Sequence, residues 1–430
     1  MRSPFRLLTR TAGTVAAATL ALIVPLAAVP AAADETGSTL PSSFVLSGSG
    51  WGHGVGLSQY GAQAMAQEGR TEEQILEHYY RGTQVGTNRR GRTFDVNVRY
   101  QPSTFTASLR ALRPDAVLEV CAMRGGRCAK AKMVVDRTAD ASPEGRVLFR
   151  RTSTGVRAFV TNAKGRTSRV AGERIRLRWT GTKPSKGPAS VLRLDTGREY
   201  RHGQAFVVPS GSSTLNGLVR VRLQPAYLRG IAEMPSSWDP AALRAQAIIA
   251  RTYALRTGAT RKDDCGCHLR DSVIHQVYAG WQKENEGTNA TFGKRWVSAV
   301  KATRGQVLRY GGDLAQTFYY SSSGGNTLNS EDVWSASVPY LRSVPDPWSV
   351  NQSNPNRTWT SSISQRQAQQ LFGLKKVQRI EVTGRHQGGG LRELTAYGPK
   401  RTKRISGKAD TMRIRLGLKS AWVAGVRARS

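Results

Sequence analysis

The chain has 430 residues, 39% of them hydrophobic, and sets 64 lysines and arginines against 29 acids, for a formal charge of +35. The apolar content suffices for a buried core and excludes a wholly disordered chain, and the length allows two or three domains. So large a positive field points to a polyanionic partner.

Arg2, Arg6 and Arg10 precede an apolar, alanine-rich run that ends in Ala31, Ala32 and Ala33. This is the pattern of a secretory signal, so residues 1–33 are expected to be a signal peptide, with a retained signal anchor as the alternative. Removal of the signal takes away three arginines and no acid, leaving +32. No later stretch is apolar enough to cross a bilayer. Export makes anionic cell-wall polymers the natural partner, and it argues against nucleic acid. The aromatics also do not sit within basic runs, as base-stacking platforms would. Residues 34–43 are polar, contain Pro41, and read as a leader.

Next comes "GSGWGHGVGLSQYGAQAMA", Gly48 to Ala66, a glycine loop around His53 that gives way to a short helix closed by Gly69. Thr71 with Gln74 forms a capping box for a second helix, which Gly82 ends. From Thr93 the pattern alternates, as in "FDVNVRY", "VLEVCAM" and "RIRLRW", and this alternation persists to about Val221. Residues 93–199 are therefore expected to be a β-rich antiparallel region and a candidate wall-binding insert. Cys121 and Cys128 flank "AMRGGR" and look like a hairpin disulfide.

Asp239 is a good N-cap and Pro240 a good first residue for a long helix that is apolar on nearly every face, hence buried. It carries Gln246, Arg251 and Thr252. A buried arginine needs an acceptor, and Glu233 is the nearest acid upstream of the cap; a snorkelling arginine and a surface glutamate are the alternative. Glu233 is expected to end a short helix before a Pro-Ser-Ser turn. Further on, "CGCHLRDSVIHQVYAGW" and "TFYYSSSGGNT" combine aromatics, hydroxyls and tight turns. No nucleophile elbow surrounds Ser322 or Ser323, which disfavours a serine hydrolase.

Together "IAEMPSSWDPAALRAQAIIARTYAL", "DSVIHQVYAGW", "YYSSSGGNT", "VPYLRSVPDP", "LGLKSAW" and "GWGHGVGLSQYGAQAMAQEG" resemble the stage II sporulation protein D family, which shares its domain with amidase enhancers. In the usual family order the glycine element follows the "LGLKSAW" strand, whereas here it comes first, as in a circular permutation. Such rearrangement is tolerated where termini lie close together. Residues 44–92 are therefore expected to pack on the C-terminal part, completing a main domain over 200–425 and bringing His53 and Gln59 to the cleft of Glu233. The expected class is α+β: a mixed catalytic domain with a buried central helix, an N-terminal glycine-loop and helix segment, and a β-rich antiparallel insert.

The resemblance implies a secreted lytic transglycosylase that cuts peptidoglycan glycan strands, with a preference for strands stripped of stem peptides, to 1,6-anhydromuramic acid ends. The match to the family's "EMP" motif makes Glu233 its single acid and base. Ile231, Met234 and Trp238 nearby are expected to raise its pKa, as a general acid requires. Arg251, in the matching "ARTYA" segment, is a candidate to orient Glu233 or bind substrate. Gln276, Tyr278 and Tyr320 are candidates for gripping sugar hydroxyls, against the alternative of satisfied polar groups in a packed core. His53 fits a tautomer-locked histidine holding its glycine turn. No cofactor is expected. Zinc on Cys265, Cys267, His268 and His275 is the alternative, because some family members hold zinc in this region; a disulfide at the cysteines competes with it. Glycan strands, anionic wall polymers and an amidase are the implied partners. The rival function is a non-catalytic wall-binding protein that enhances an amidase.

Overall fold

The computed structural model describes residues 40–430 except 90, 115, 137–144, 163 and 184–186, and no side chain of 133–136. The signal peptide expected over 1–33 and most of the leader over 34–43 lie outside the described residues. Helices and strands are interspersed in an α+β fold. Among the described residues no helix is long and apolar enough to cross a membrane.

The alternating stretches form two antiparallel sheets that share one core. A six-stranded sheet runs 167–172, 155–161, 146–152, 104–111, 190–194 and 199–200 in spatial order. Along Thr104–Ala111 every second residue is buried, as a sheet with one covered face requires. The second sheet has seven strands, in the order 269–270, 93–99, 214–222, 204–210, 174–179, 116–124 and 127–136. Phe105, Leu109 and Phe149 from one sheet and Val120, Ile175 and Val219 from the other belong to the same buried cluster. Cys121 and Cys128 are joined across the hairpin turn.

This second sheet corrects the boundary drawn at 199/200. Ile175 pairs with Val207, and Val219 with Val96, so strands on both sides of that line share one hydrogen-bonded ladder. Leu269 also pairs in parallel with Val96. A hydrophobic alternation marks strands but not their partners, and the partners lie across the expected border.

Four helices build the half that carries Glu233: α1 (Gln59–Gln67), α2 (Glu72–Tyr79), α3 (Pro240–Thr257) and α4 (Thr291–Ala302). Thr71 and Gln74 make both bonds of the capping box on α2. Asp239 caps α3 by accepting from the Ala241 N–H at 2.9 Å, with Pro240 in the first turn. Thirteen of the 18 residues of α3 are buried, so it is the central helix. Its many alanines allow α1, α2 and α4 to approach closely, and Arg244 reaches Glu72 on α2 at 2.7 Å.

Strand Ser43–Ser49 lies between Trp359–Ser364 and Trp422–Arg429, antiparallel to both. Phe44 and Leu46 enter a second core with Trp359, Leu391, Met412 and Val423. Gln84–Thr87 likewise pairs with Gln306–Tyr310. The glycine segment is thus woven into the C-terminal part at both of its ends. Phe44→Ala is expected to cost about 3–5 kcal/mol in denaturant unfolding, as for other large buried side chains. A loss below about 1 kcal/mol would mean that the strand is an appendage.

Candidate functional site

The glycine loop is held on two sides. Trp51 and Ser322 exchange backbone hydrogen bonds of 2.8 and 3.1 Å, and the Gly52 N–H donates to the Lys419 carbonyl at 2.9 Å. Leu57 and Ser58 then pair in parallel with Tyr319 and Tyr320. Gly56 sits at φ +76°, and a Cβ there would run into the Phe318 carbonyl, so the close approach of these strands requires glycine. The resulting path places His53 in a cleft and sends Gln59, at the start of α1, toward Glu233.

That cleft measures about 500 Å³ and is walled by Trp51, Tyr253, Phe318, Tyr319, Tyr320 and Trp334, with Glu233, His53 and Gln59 among them. Val273 and Ile274 stand on its rim, 93% and 63% exposed, and Trp51 is 52% exposed. Among the described residues that line it, Glu233 is the one carboxylic acid.

Glu233 lies in a bend after a short helical stretch and an isolated bridge at Ile231 to Tyr278, just before the turn that leads to α3. Its Oε1 accepts from the Val277 N–H at 2.6 Å, and the Gln59 amide donates to its main-chain carbonyl at 2.9 Å. Burial pushes its pKa above the ordinary carboxylate range, and the nearby Asp271 carboxylate adds to the rise. The Val277 N–H, a hydrogen bond with the Tyr319 hydroxyl and the charge of Lys283 oppose it. The Tyr319 hydroxyl in turn accepts from the Gln276 amide at 3.1 Å. Burial first, then the neighbouring Glu233 charge, raises the pKa of Tyr319 well above that of free tyrosine, which keeps it protonated. Asp271, pushed up to about 6 mainly by burial, accepts from the Tyr278 N–H at 2.7 Å and does not line the cleft.

His53 accepts from the Val55 N–H at Nδ1, so Nε2 carries the proton and donates to the Tyr319 carbonyl at 3.1 Å. Burial lowers its pKa to about 4, so the ring is neutral at ordinary pH. The histidine joins its own glycine turn to the strand that presents Tyr319.

Three expected residues lie elsewhere. Arg251 does not meet Glu233: its guanidinium donates to the Ala247 and Gln306 carbonyls at 3.2 and 2.9 Å and approaches the Val300 carbonyl and Thr303 hydroxyl. A buried cation needs acceptors, and here α3, the last turns of α4 and the strand that follows supply them. Gln276 is buried behind the cleft, accepting from the Tyr227 hydroxyl and donating to Ala250 as well as Tyr319, so it acts on Glu233 only through Tyr319. Tyr278 is buried between Tyr227 and Tyr200, 5.1 and 5.7 Å away between ring centroids. Tyr320 does line the cleft, beside His53. Tyr319, which the sequence reading passed over for its neighbour, is the tyrosine in touch with the acid. Both tyrosines of "YY" line the cleft, and the dipeptide carries no mark of which one reaches the acid.

The residues around Cys265 do not fit a metal ion. Cys265 and Cys267 are bonded to each other and buried against Phe206 and Leu218. The Nδ1 atoms of His268 and His275 are occupied by the Asp95 and Arg270 N–H groups. Among the described residues no cluster of three or more metal-binding side chains occurs.

Fold and site together define an α+β protein with a single buried carboxylic acid, its pKa raised by burial, among the described residues of an aromatic cleft. A family model described as stage II sporulation protein matches residues 213–310, which include Glu233 and α3. Stage II sporulation protein D of Bacillus amyloliquefaciens is 31% identical over 251 residues, which cover 56% of this chain and 70% of that protein. The chain belongs to the stage II sporulation protein D family. Its counterpart from Bacillus subtilis (strain 168) is 32% identical over 157 residues, 35% of this chain and 45% of that protein. The amidase enhancer of Bacillus subtilis (strain 168) is 40% identical over 143 residues, 33% of this chain but 17% of its own length. The match thus spans about a sixth of the amidase enhancer.

The raised pKa of Glu233 carries a stability consequence. The folded state holds this proton more tightly than the unfolded chain, so stability falls as pH rises from the ordinary carboxylate value through the folded one. Glu233→Gln removes that loss. In thermal unfolding the variant is expected to match wild type near pH 4 and to exceed it at pH 8. A difference that does not change with pH would show that the carboxyl is not perturbed.

Proposed function

We propose that the chain is an extracytoplasmic lytic transglycosylase that cleaves peptidoglycan glycan strands, with Glu233 as its acid and base. The observation that carries this reading is a lone, buried carboxyl in an aromatic cleft, with burial raising its pKa. Hydrolytic glycosidases flank the bond with two carboxylates, one of them serving water or the sugar directly. Here the second nearby acid, Asp271, is bound to backbone outside the cleft.

One carboxyl suffices when the nucleophile belongs to the substrate. Protonated Glu233 gives its proton to the glycosidic oxygen as the bond from that oxygen to the muramic acid C1 breaks. The carboxylate then takes the proton of the C6 hydroxyl while O6 bonds to C1. The product is a 1,6-anhydro end, the acid is regenerated, and no water is consumed. The Val277 N–H and the Tyr319 hydroxyl stabilise the carboxylate between the two transfers. Trp51 and the Val273–Ile274 rim offer apolar faces to sugar rings. The wide positive charge favours the anionic wall as the setting.

A second reading, a non-catalytic wall-binding protein that enhances an amidase, draws on the similarity to the Bacillus subtilis amidase enhancer. Incubation with glycan strands, with and without stem peptides, and mass spectrometry of the products separates the two. Wild type is expected to release anhydro ends, and Glu233→Gln to do so about 10²–10⁴-fold more slowly, the usual contribution of a general acid–base group. Binding without cleavage by either protein favours the enhancer reading. Activity should decline on the alkaline side as Glu233 loses its proton. Tyr319→Phe removes a bond that favours the carboxylate, so this alkaline limb should move to higher pH while the maximal rate falls. An unmoved limb would separate Tyr319 from the acid.

A further inference from the structure

A second cavity, of about 480 Å³, lies apart from the catalytic cleft and shares no lining residue with it. Arg89, Arg222 and Arg304 surround it, together with Gln224, Gly91 and Gly305. The three arginines come from three elements: Arg222 ends strand Thr214–Arg222, Arg304 follows α4, and Arg89 follows the strand Gln84–Thr87. Backbone bonds fix these ends to one another, Asn88 N–H to the Gly305 carbonyl and Leu223 N–H to the Arg92 carbonyl, both 2.7 Å. Gly91 brings the backbone close to the Arg222 guanidinium.

Arg222 also lines a neighbouring cavity of about 760 Å³, which adds Arg178 and Lys183. Among the described residues, no aspartate or glutamate lines either cavity. Arg89, Arg222 and Arg304 also form no ion pair with any described carboxylate. Other arginines do find carboxylates, as Arg220 does in Asp95 and Arg342 in Glu331. Three like charges gathered without a counter-charge lack only an anion.

We infer that these two cavities form a groove that binds a phosphodiester polymer, with Arg89, Arg222 and Arg304 as its main phosphate contacts. Each guanidinium presents its N–H donors as a planar fork that matches the unbridged oxygens of a phosphate. Three forks from three directions suit a tetrahedral phosphate. The shared Arg222 and the neighbouring cavity favour a chain of repeated anions over a single ion. Nucleic acid is disfavoured because the aromatic rings among the described residues along the groove, Trp179 and His202, are buried, Trp179 with its indole N–H on the Arg201 carbonyl, leaving bases no stacking platform.

The test is the binding of fluorescent poly(glycerol phosphate) to the full chain. Arg89→Gln/Arg222→Gln/Arg304→Gln is compared with Arg401→Gln/Lys403→Gln/Arg404→Gln, which removes equal charge from another exposed strand. The groove variant is expected to bind at least 10-fold more weakly and to flatten the slope of log affinity against log salt by about 2. The control should lose less than about threefold, since distant exposed charges are screened. Arg222→Lys, which keeps charge and fold but loses the fork, should weaken binding as well. Equal losses in both triple variants would overturn the groove in favour of a general field. Equal affinity for oligo(dT), or for poly(glutamate), would overturn the phosphodiester assignment. The assay reads binding without cleavage, so either outcome leaves the role of Glu233 to its own experiment.

Discussion

A carboxyl group taken out of water keeps its proton unless enough donors favour the anion, and Glu233 sits close to that balance. Burial supports the acid, while one backbone N–H and one tyrosine hydroxyl support the base. An acid–base catalyst needs both forms within reach, so the surrounding architecture can be read as the means of holding this balance. Gln59, 174 positions away in sequence, fastens the main chain of Glu233 from the side of the glycine segment. Gln276 fastens Tyr319, and neutral His53 fastens the strand that carries it. The glycine segment cannot be removed without opening the site, which explains why its strand is interleaved with Trp422–Arg429.

Much of this was legible in the residues. Asp239 and Pro240 announce α3, Thr71 and Gln74 announce α2, and the apolar girth of α3 announces its burial, because caps and periodicity are local signals. The place of Glu233 followed from its motif. What stayed hidden was non-local. Arg251 finds acceptors at the Val300 and Gln306 carbonyls, some fifty residues further on, and no local pattern reports which acceptor a buried cation finds. Tyr319 and Tyr320 differ by one residue of strand register, which only pairing with Leu57 and Ser58 decides. The sheet that unites 93–99 with 214–222 and 269–270 was hidden for the same reason.

The β-rich half is more than an insert beside the part that carries Glu233. Its seven-stranded sheet ends on Leu269–Arg270, and the turn that follows, through Val273 to His275, forms one lip of the cleft. The Asp271 N–H is tied to the Asn97 carbonyl at 2.9 Å and the Asp271 carboxyl to the Tyr278 N–H. A shift in that sheet would therefore reach the rim directly and Glu233 through the adjoining Val277.

The proposal that one carboxyl does the whole reaction is tested most directly by running it in isotopically labelled water. If O6 of the substrate closes the ring, the new ends form without solvent, and the products carry no label and weigh one water less than hydrolysis products. Labelled reducing ends would show that water attacks C1, and a second group acting on that water would then have to be found.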